Sequence, residues 1–306
     1  MRWHSATLGV ALCATALGAA PRSDAALKVV TTLSTFADLA KSVGGDHVAV
    51  SSVAAPQFNP HFIEPKPSDI LRVKKADLFI HAGLDLEVWR GPLVDAAGNP
   101  QIRPGGAKEL DVSRGVPLLE VPDNTVTRAQ GDIHAYGNPH YWLEPENGRR
   151  IARTIAAKLE EIDAANAVDY AKNLAGFEAR LDAKLPEWKA AMVPHAGTEI
   201  IGYHNEWPYL MQFLGLKMDK FLEPKPGIPP TPKRTEFLEQ YMKQNNVKII
   251  AQAAYFPTKA SDALAQRTGG HVVMLSQSVG DQKAATDYLA MVDYNVGALV
   301  AALQQH

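Results

Sequence analysis

The sequence predicts an α/β protein of two (β/α) lobes, each with a mostly parallel sheet, joined by one long rigid helix. Three observations carry this reading. Strand-like apolar runs alternate with helical patterns both before residue 163 and after residue 195. Between them Tyr170, Leu174, Phe177, Leu181, Leu185, Trp188 and Met192 recur at spacings of three or four without a break. That pattern is one amphipathic helix over 166–192, about 40 Å long at 1.5 Å per residue, with Pro186 as a point where it can kink. Finally, Glu64-Pro65-Lys66-Pro67 recurs as Glu223-Pro224-Lys225-Pro226, each copy after a strand and before a helix, as duplication of one lobe would leave it. The expected divisions are a leader over 1–25, an N-terminal lobe over 26–163, the linking helix over 164–194 and a C-terminal lobe over 195–306.

The leader is read from Arg2, the apolar run 6–20 and the small residues around Ala25, which suit a secretory signal cut near Ala25. Cys13 follows Leu12, a poor residue for a lipoprotein site, so a lipid anchor is the weaker reading. Cys13 is the single cysteine and leaves with the leader. Any metal site in the mature chain must then use histidine, carboxylate or amide groups. The chain has 306 residues, 46% apolar, with 21% charged and a formal net charge of −2, which gives no basic footprint for nucleic acid.

The elements follow in order. Residues 27–33 read as a buried β-branched strand, and Ser34 as the cap of a helix to residue 43 that Gly44-Gly45 ends. A second strand over 47–54 leads into the loop of His61, followed by a helix over 68–75 and a strand over 77–81. Residues 84–97 read as a helix interrupted at Gly91-Pro92, 98–115 as loop and 116–121 as a short strand. The polar loop 122–145 holds His134 and His140 and precedes a helix over 145–162. Past the long helix, strands are expected over 199–203, 216–222, 247–252 and 271–275, with helices over 206–214, 235–244, 259–268 and 284–303.

Three histidines stand at strand-to-helix junctions: His61 in Asn59-Pro60-His61, His140 in Asn138-Pro139-His140 and His204 in Gly202-Tyr203-His204. Open α/β sheets bind ligands outside the carboxyl ends of their strands. Two such edges facing across a strut place His61 and His140 on one wall of an inter-lobe cleft and His204 on the other. Three imidazoles suit Zn²⁺ or another late divalent ion over Mg²⁺ or Ca²⁺. Taken singly, each is more often a solvated or capping residue. His47, His81, His195 and His271 read as structural. His134 reads first as a surface residue and second as an auxiliary or capture ligand. Tyr141, Trp142, Trp207 and Tyr209 read as packing that keeps the site dry.

The stretch from Asn59-Pro60-His61 through Glu64-Pro65-Lys66-Pro67-Ser68-Asp69 to Lys75-Ala76-Asp77 resembles the metal-binding solute-binding proteins of ABC importers, the zinc/manganese/iron group called cluster A-I. So do Asn138-Pro139-His140-Tyr141-Trp142-Leu143-Glu144-Pro145 and Tyr203-His204 with Gly215-Leu216. The resemblance implies one divalent ion as cargo, held by His61, His140 and His204, captured in the periplasm and delivered to a permease and its ATPase. It implies a monomer, with a periplasmic metallochaperone as a further partner. The family's fourth ligand is often a carboxylate after the penultimate strand, where this chain has Gln277, with Asp281 four residues on as the alternative. Members usually carry Asp-Pro-His where both copies here are Asn-Pro-His, and zinc members often carry a His-rich loop where this chain has only His134. Neutral donors imply weaker binding than in carboxylate-bearing relatives, and rank zinc first, iron next and manganese behind. Two other functions fit three histidines. One is a zinc hydrolase with Glu206 as its base, which lacks a His-Glu-x-x-His signature. The other is a metal-binding adhesin or chaperone on the same fold.

Overall fold

The structure, a computed structural model, describes Met1 and residues 25–123 and 134–305, so nearly all of the expected leader lies outside the described residues. Among the described residues seven strands form two separate parallel sheets. The first contains β1 (Leu27–Thr31), β2 (Val48–Ser52), β3 (Leu78–His81) and β4 (Glu109–Asp111) in the order β2-β1-β3-β4. The second contains β5 (Ile201–Gly202), β6 (Ile249–Ala253) and β7 (His271–Leu275) in the order β5-β6-β7. Parallel strands need crossovers, and helices supply them. These are α1 (Ser34–Gly44), α2 (Pro67–Lys74) and α3 (Arg90–Ala97) in the first lobe, and α6 (Pro208–Leu214), α7 (Pro232–Gln244) and α8 (Lys259–Thr268) in the second. Three further helices, α4 (Pro145–Ile162), α5 (Ala167–Met192) and α9 (Tyr288–Leu303), run between and behind the sheets.

Both faces of each sheet are covered, which explains the nearly continuous apolar strand sequences. Alternate residues serve different cores. Val29, Leu78 and Ile80 face the central core, whereas Val30 and Phe79 pack with Val73 of α2 and Leu93 of α3. In the second sheet Ile249, Ala251 and Ala253 face the centre, and Ile250 packs with Leu238 of α7 and Leu264 of α8. The central core is continuous from one lobe to the other. It runs from Leu33 and Phe36 through Trp142, Phe177 and Leu181 to Leu210, Leu275 and Leu299.

The long helix stays one element of 26 residues with Pro186 inside it, burying Tyr170, Phe177, Leu181, Leu185, Trp188 and Met192. Close packing of α4 on α9 depends on Gly148, where any Cβ would strike the Tyr288 ring. The Tyr288 hydroxyl in turn donates to the Trp142 carbonyl at 2.8 Å.

Four expectations differ from what forms. The fourth strand of the first sheet is Glu109–Asp111, inside the expected loop, and residues 116–121 form no strand. Pro117 cannot donate to a ladder, which removes one bond from the run expected as a short strand. Residues 216–222 reduce to isolated parallel bridges, Glu199↔Lys217 and Gly202↔Phe221, so the expected strand is an intermittent edge partner of β5. Helix α3 begins only at Arg90, after Leu84 and Asp85 take positive φ angles, so Gly91-Pro92 lies in its first turn and interrupts nothing. Ser34 is not a cap: Leu33 holds that position, and the Ser34 hydroxyl donates to the Val279 carbonyl at 2.7 Å.

Candidate metal centre

His61 sits in the loop that leaves β2, and the loop is pinned where Trp89 Nε1 donates to the Pro60 carbonyl at 2.8 Å. Asn59 Oδ1 accepts from the backbone N–H of His61 at 3.0 Å and faces His61 Nδ1 at 2.8 Å. A backbone N–H can only donate, so the Asn59 atom is the amide oxygen and Nδ1 carries the imidazole proton. Nε2 of His61 is then a bare lone pair, which is the form a metal needs.

His140 ends the Asn-Pro-His turn before α4 and is completely buried. The Asn138 side-chain oxygen accepts from its backbone N–H at 3.0 Å. Among the described residues neither ring nitrogen of His140 has a hydrogen-bond partner. A buried imidazole with both nitrogens unsatisfied is costly unless something else occupies one of them.

His204 follows β5, whose Gly202 admits no side chain because a Cβ there would lie 2.8 Å from Met218 and 2.9 Å from Phe221. His204 Nδ1 lies 2.7 Å from Glu223 Oε2, a carboxylate that also accepts from Gly227 N at 2.9 Å. A carboxylate can only accept, so Nδ1 donates to it. Carboxylate-oriented imidazole is the usual support of a metal-binding histidine.

The three rings meet. His61 lies 5.1 Å from His140 and 5.4 Å from His204, and His140 lies 5.7 Å from His204, centroid to centroid. One nitrogen from each lies within 4.8 Å of the other two. Burial first, and then the neighbouring imidazoles, hold His61 and His140 well below the ordinary histidine range. Both rings therefore stay neutral at neutral pH, and they do so well below the usual titration point.

His134, expected first at the surface, is partly buried, with its ring 5.2 Å from that of His61 and its Nε2 3.2 Å from His61 Nε2. Burial pushes its pKa down to about 4. Gln277 is fully buried on the second lobe. Its Oε1 accepts from the Ser278 hydroxyl at 2.7 Å, its Nε2 has no partner among the described residues, and its backbone carbonyl receives Trp142 Nε1 at 2.9 Å. The Asp281 carboxylate accepts from the Ser276 hydroxyl, from Gln277 N at 2.7 Å and from Ser278 N at 3.1 Å, so it ties down the turn that carries Gln277. Glu206 is fully buried, and one oxygen accepts from the Tyr255 hydroxyl at 2.5 Å. Desolvation raises its pKa to about 7, against the opposing pull of His204.

The two walls are also tied outside the imidazoles. Glu120, at φ 53°, accepts from Asn138 Nδ2 at 2.9 Å and from Asn205 Nδ2 at 2.7 Å. Asn138 Nδ2 donates further to the Asn205 carbonyl at 2.9 Å. Tyr209, expected as packing, donates its hydroxyl proton to the Asn138 carbonyl at 2.8 Å and accepts from Leu119 N at 3.0 Å. His81 and His47, read as structural, pair with Glu109 at 2.6 Å and Asp169 at 2.9 Å. Glu223 was the residue that sequence reasoning missed. It opens the second Glu-Pro-Lys-Pro copy, and that repeat was the available signal.

Comparison with known proteins agrees with this geometry. The family model for the zinc-uptake complex component A, periplasmic (ZnuA), matches residues 29–302. The high-affinity zinc uptake protein ZnuA of Bacillus subtilis is 26% identical over 92% of this chain and 89% of its own. The iron-binding protein YfeA of Yersinia pestis is 24% identical over 91% of this chain and 86% of its own. The manganese lipoprotein PsaA of Streptococcus anginosus is 26% identical over 91% of this chain and 90% of its own. A crystal structure of a zinc-bound ZnuA deletion mutant superposes with a TM-score of 0.76 at 27% identity, covering 91% of this chain and 98% of that one. The matched family is one of uptake-system binding proteins, not enzymes, and the hydrolase reading of Glu206 falls with that. No helix among the described residues is long and apolar enough to cross a membrane. With its two parallel-sheet lobes, its long connecting helix and its match across nearly the whole described length, the chain belongs to the ZnuA family of substrate-binding proteins of metal ABC transporters.

Proposed function

We propose that the protein captures one divalent transition-metal ion in the periplasm, holding it with His61, His140 and His204, and delivers it to an ABC permease and its ATPase. One observation carries the reading. Three buried imidazoles from both lobes offer nitrogens within 4.8 Å of one another, two of them with Nδ1 already committed to an acceptor. Neutral imidazole donors with no carboxylate in the cluster among the described residues favour zinc, with iron next and manganese last. Gln277, expected at the fourth position, is a neutral amide whose oxygen accepts from Ser278, while the Asp281 oxygens serve the turn that carries it. The arrangement suits a monomer that works by binding alone. Relatives named for zinc, iron and manganese make the choice of metal a question for measurement.

The test is metal analysis of protein purified from the periplasm, wild type against His140→Ala. The wild type should carry or take up one equivalent of zinc, and the variant should lose it while keeping the metal-free melting temperature within a few degrees. A wild type that carries no stoichiometric ion and binds none on addition would sink the proposal.

A further inference from the structure

We propose that His134 is a fourth imidazole ligand of the same ion, which makes the site a set of four neutral nitrogens. This rests on the three-histidine reading and extends it. The first argument is distance. With zinc–nitrogen bonds of about 2.0–2.1 Å, two ligands of one tetrahedral ion lie about 3.3 Å apart. His134 Nε2 and His61 Nε2 are 3.2 Å apart.

The second argument is where the protons are. His61 Nδ1 donates to the Asn59 oxygen, so His61 Nε2 is bare. His134 hydrogen-bonds to the backbone of Asp85, a contact that favours the proton on the ring. With Nε2 turned to His61, that bond falls to Nδ1, which leaves the second Nε2 bare as well. Two lone pairs pointed at one another at this distance repel, and a cation between them turns the repulsion into ligation. A hydrogen bond between the two rings would need a proton on one Nε2, and the acceptors at both Nδ1 positions oppose that. The rings of His134 and His140 are 6.4 Å apart and His134 lies outside the group of nitrogens within 4.8 Å, so His134 has to move inward to complete the set.

The third argument is what else is at hand. Both oxygens of Asp281 are taken, and the Gln277 oxygen already accepts from Ser278. His134 has no such commitment on the side that faces the cluster. Four nitrogens in a tetrahedron suit zinc and cobalt over manganese, which favours oxygen donors.

Cobalt(II) is the probe, because each ligated imidazole gives one hyperfine-shifted ring N–H signal in proton NMR. The wild type loaded with one equivalent should show four such signals. His134→Ala should show three, and should lose about tenfold or more in zinc affinity by chelator competition, at least the loss typical of an orienting partner. Three signals in the wild type, or the same number in wild type and variant, overturns the inference even if the affinity changes. That result leaves the three-histidine site standing. A wild type that binds neither ion overturns the site and this inference together.

Discussion

Glu223 does for His204 what Asn59 does for His61, and the difference between a carboxylate and an amide is the difference between the two imidazoles. Both acceptors fix the ring and put the proton on Nδ1. Only the carboxylate also makes the imidazole more basic, because it stabilises positive charge that moves onto the ring when the metal binds. Glu223→Gln keeps the shape and can keep the hydrogen bond while removing the charge. Its zinc affinity should fall by about tenfold in calorimetry, within the usual range for such partners. An unchanged affinity would reduce Glu223 to an anchor of its own loop through Gly227. Asn138 has another reason to be an amide. Its Nδ2 donates to Glu120, which an aspartate could not do. Asn138→Asp would set two carboxylates against each other and break the contact to the Asn205 carbonyl. The melting temperature of the metal-free protein should drop by several degrees at neutral pH, and Glu120→Gln should restore most of it. If the double variant is no better than the single one, the contact is incidental.

The contact between α1 and α9 can be tested in the same way. Asp38 on α1 accepts from Tyr288 N at 2.9 Å, at the first turn of α9, where a carboxylate is favoured by the helix dipole. Burial outweighs that contact and the pull of Arg180, Asp287 adds repulsion, and the Asp38 pKa rises to about 6. The sign follows. Between about pH 4 and 6 the folded protein holds a proton that the unfolded chain has lost, so stability falls as pH rises through that window and stays lower above it. Asp38→Asn keeps the acceptor and removes the charge. Urea denaturation should find it more stable than wild type by about 1–2 kcal/mol at pH 7.5, with little difference at pH 4.5. A gap that does not depend on pH would place the effect elsewhere.

The elements were legible in the sequence where one physical signal dominated. The heptad-like spacing of α5 and the apolar runs of β6 and β7 needed no context, because burial alone explains them. The edges were not legible. Strand β4 has three residues, too few for a period, and the run over 116–121 had the right side chains with a proline where a donor was needed. The turns of His61, His140 and His204 marked them as candidates, and the structure brings these three rings together. Glu223 had only its place in the repeat and His134 only a second reading as an auxiliary ligand, because each meets a partner 19 or 73 positions away that no spacing rule connects.

At the scale of the whole molecule, the apolar core runs without interruption through α5 and Trp142 from one sheet to the other. The two lobes therefore share a foundation, and large relative rotation would expose core surface at about 25 cal/mol for each Å². What can open at small cost is the rim, where Glu120 is exposed and its contacts to Asn138 and Asn205 are polar. Deep below it His140 has no exposure to solvent. An ion held there, as proposed, would leave only when that rim parts, so its stay would depend on the frequency of local opening as well as on bond strength. A partner that pulls on Glu120 or Asn205 would favour the open rim, and would shorten the dwell time and weaken the apparent affinity together.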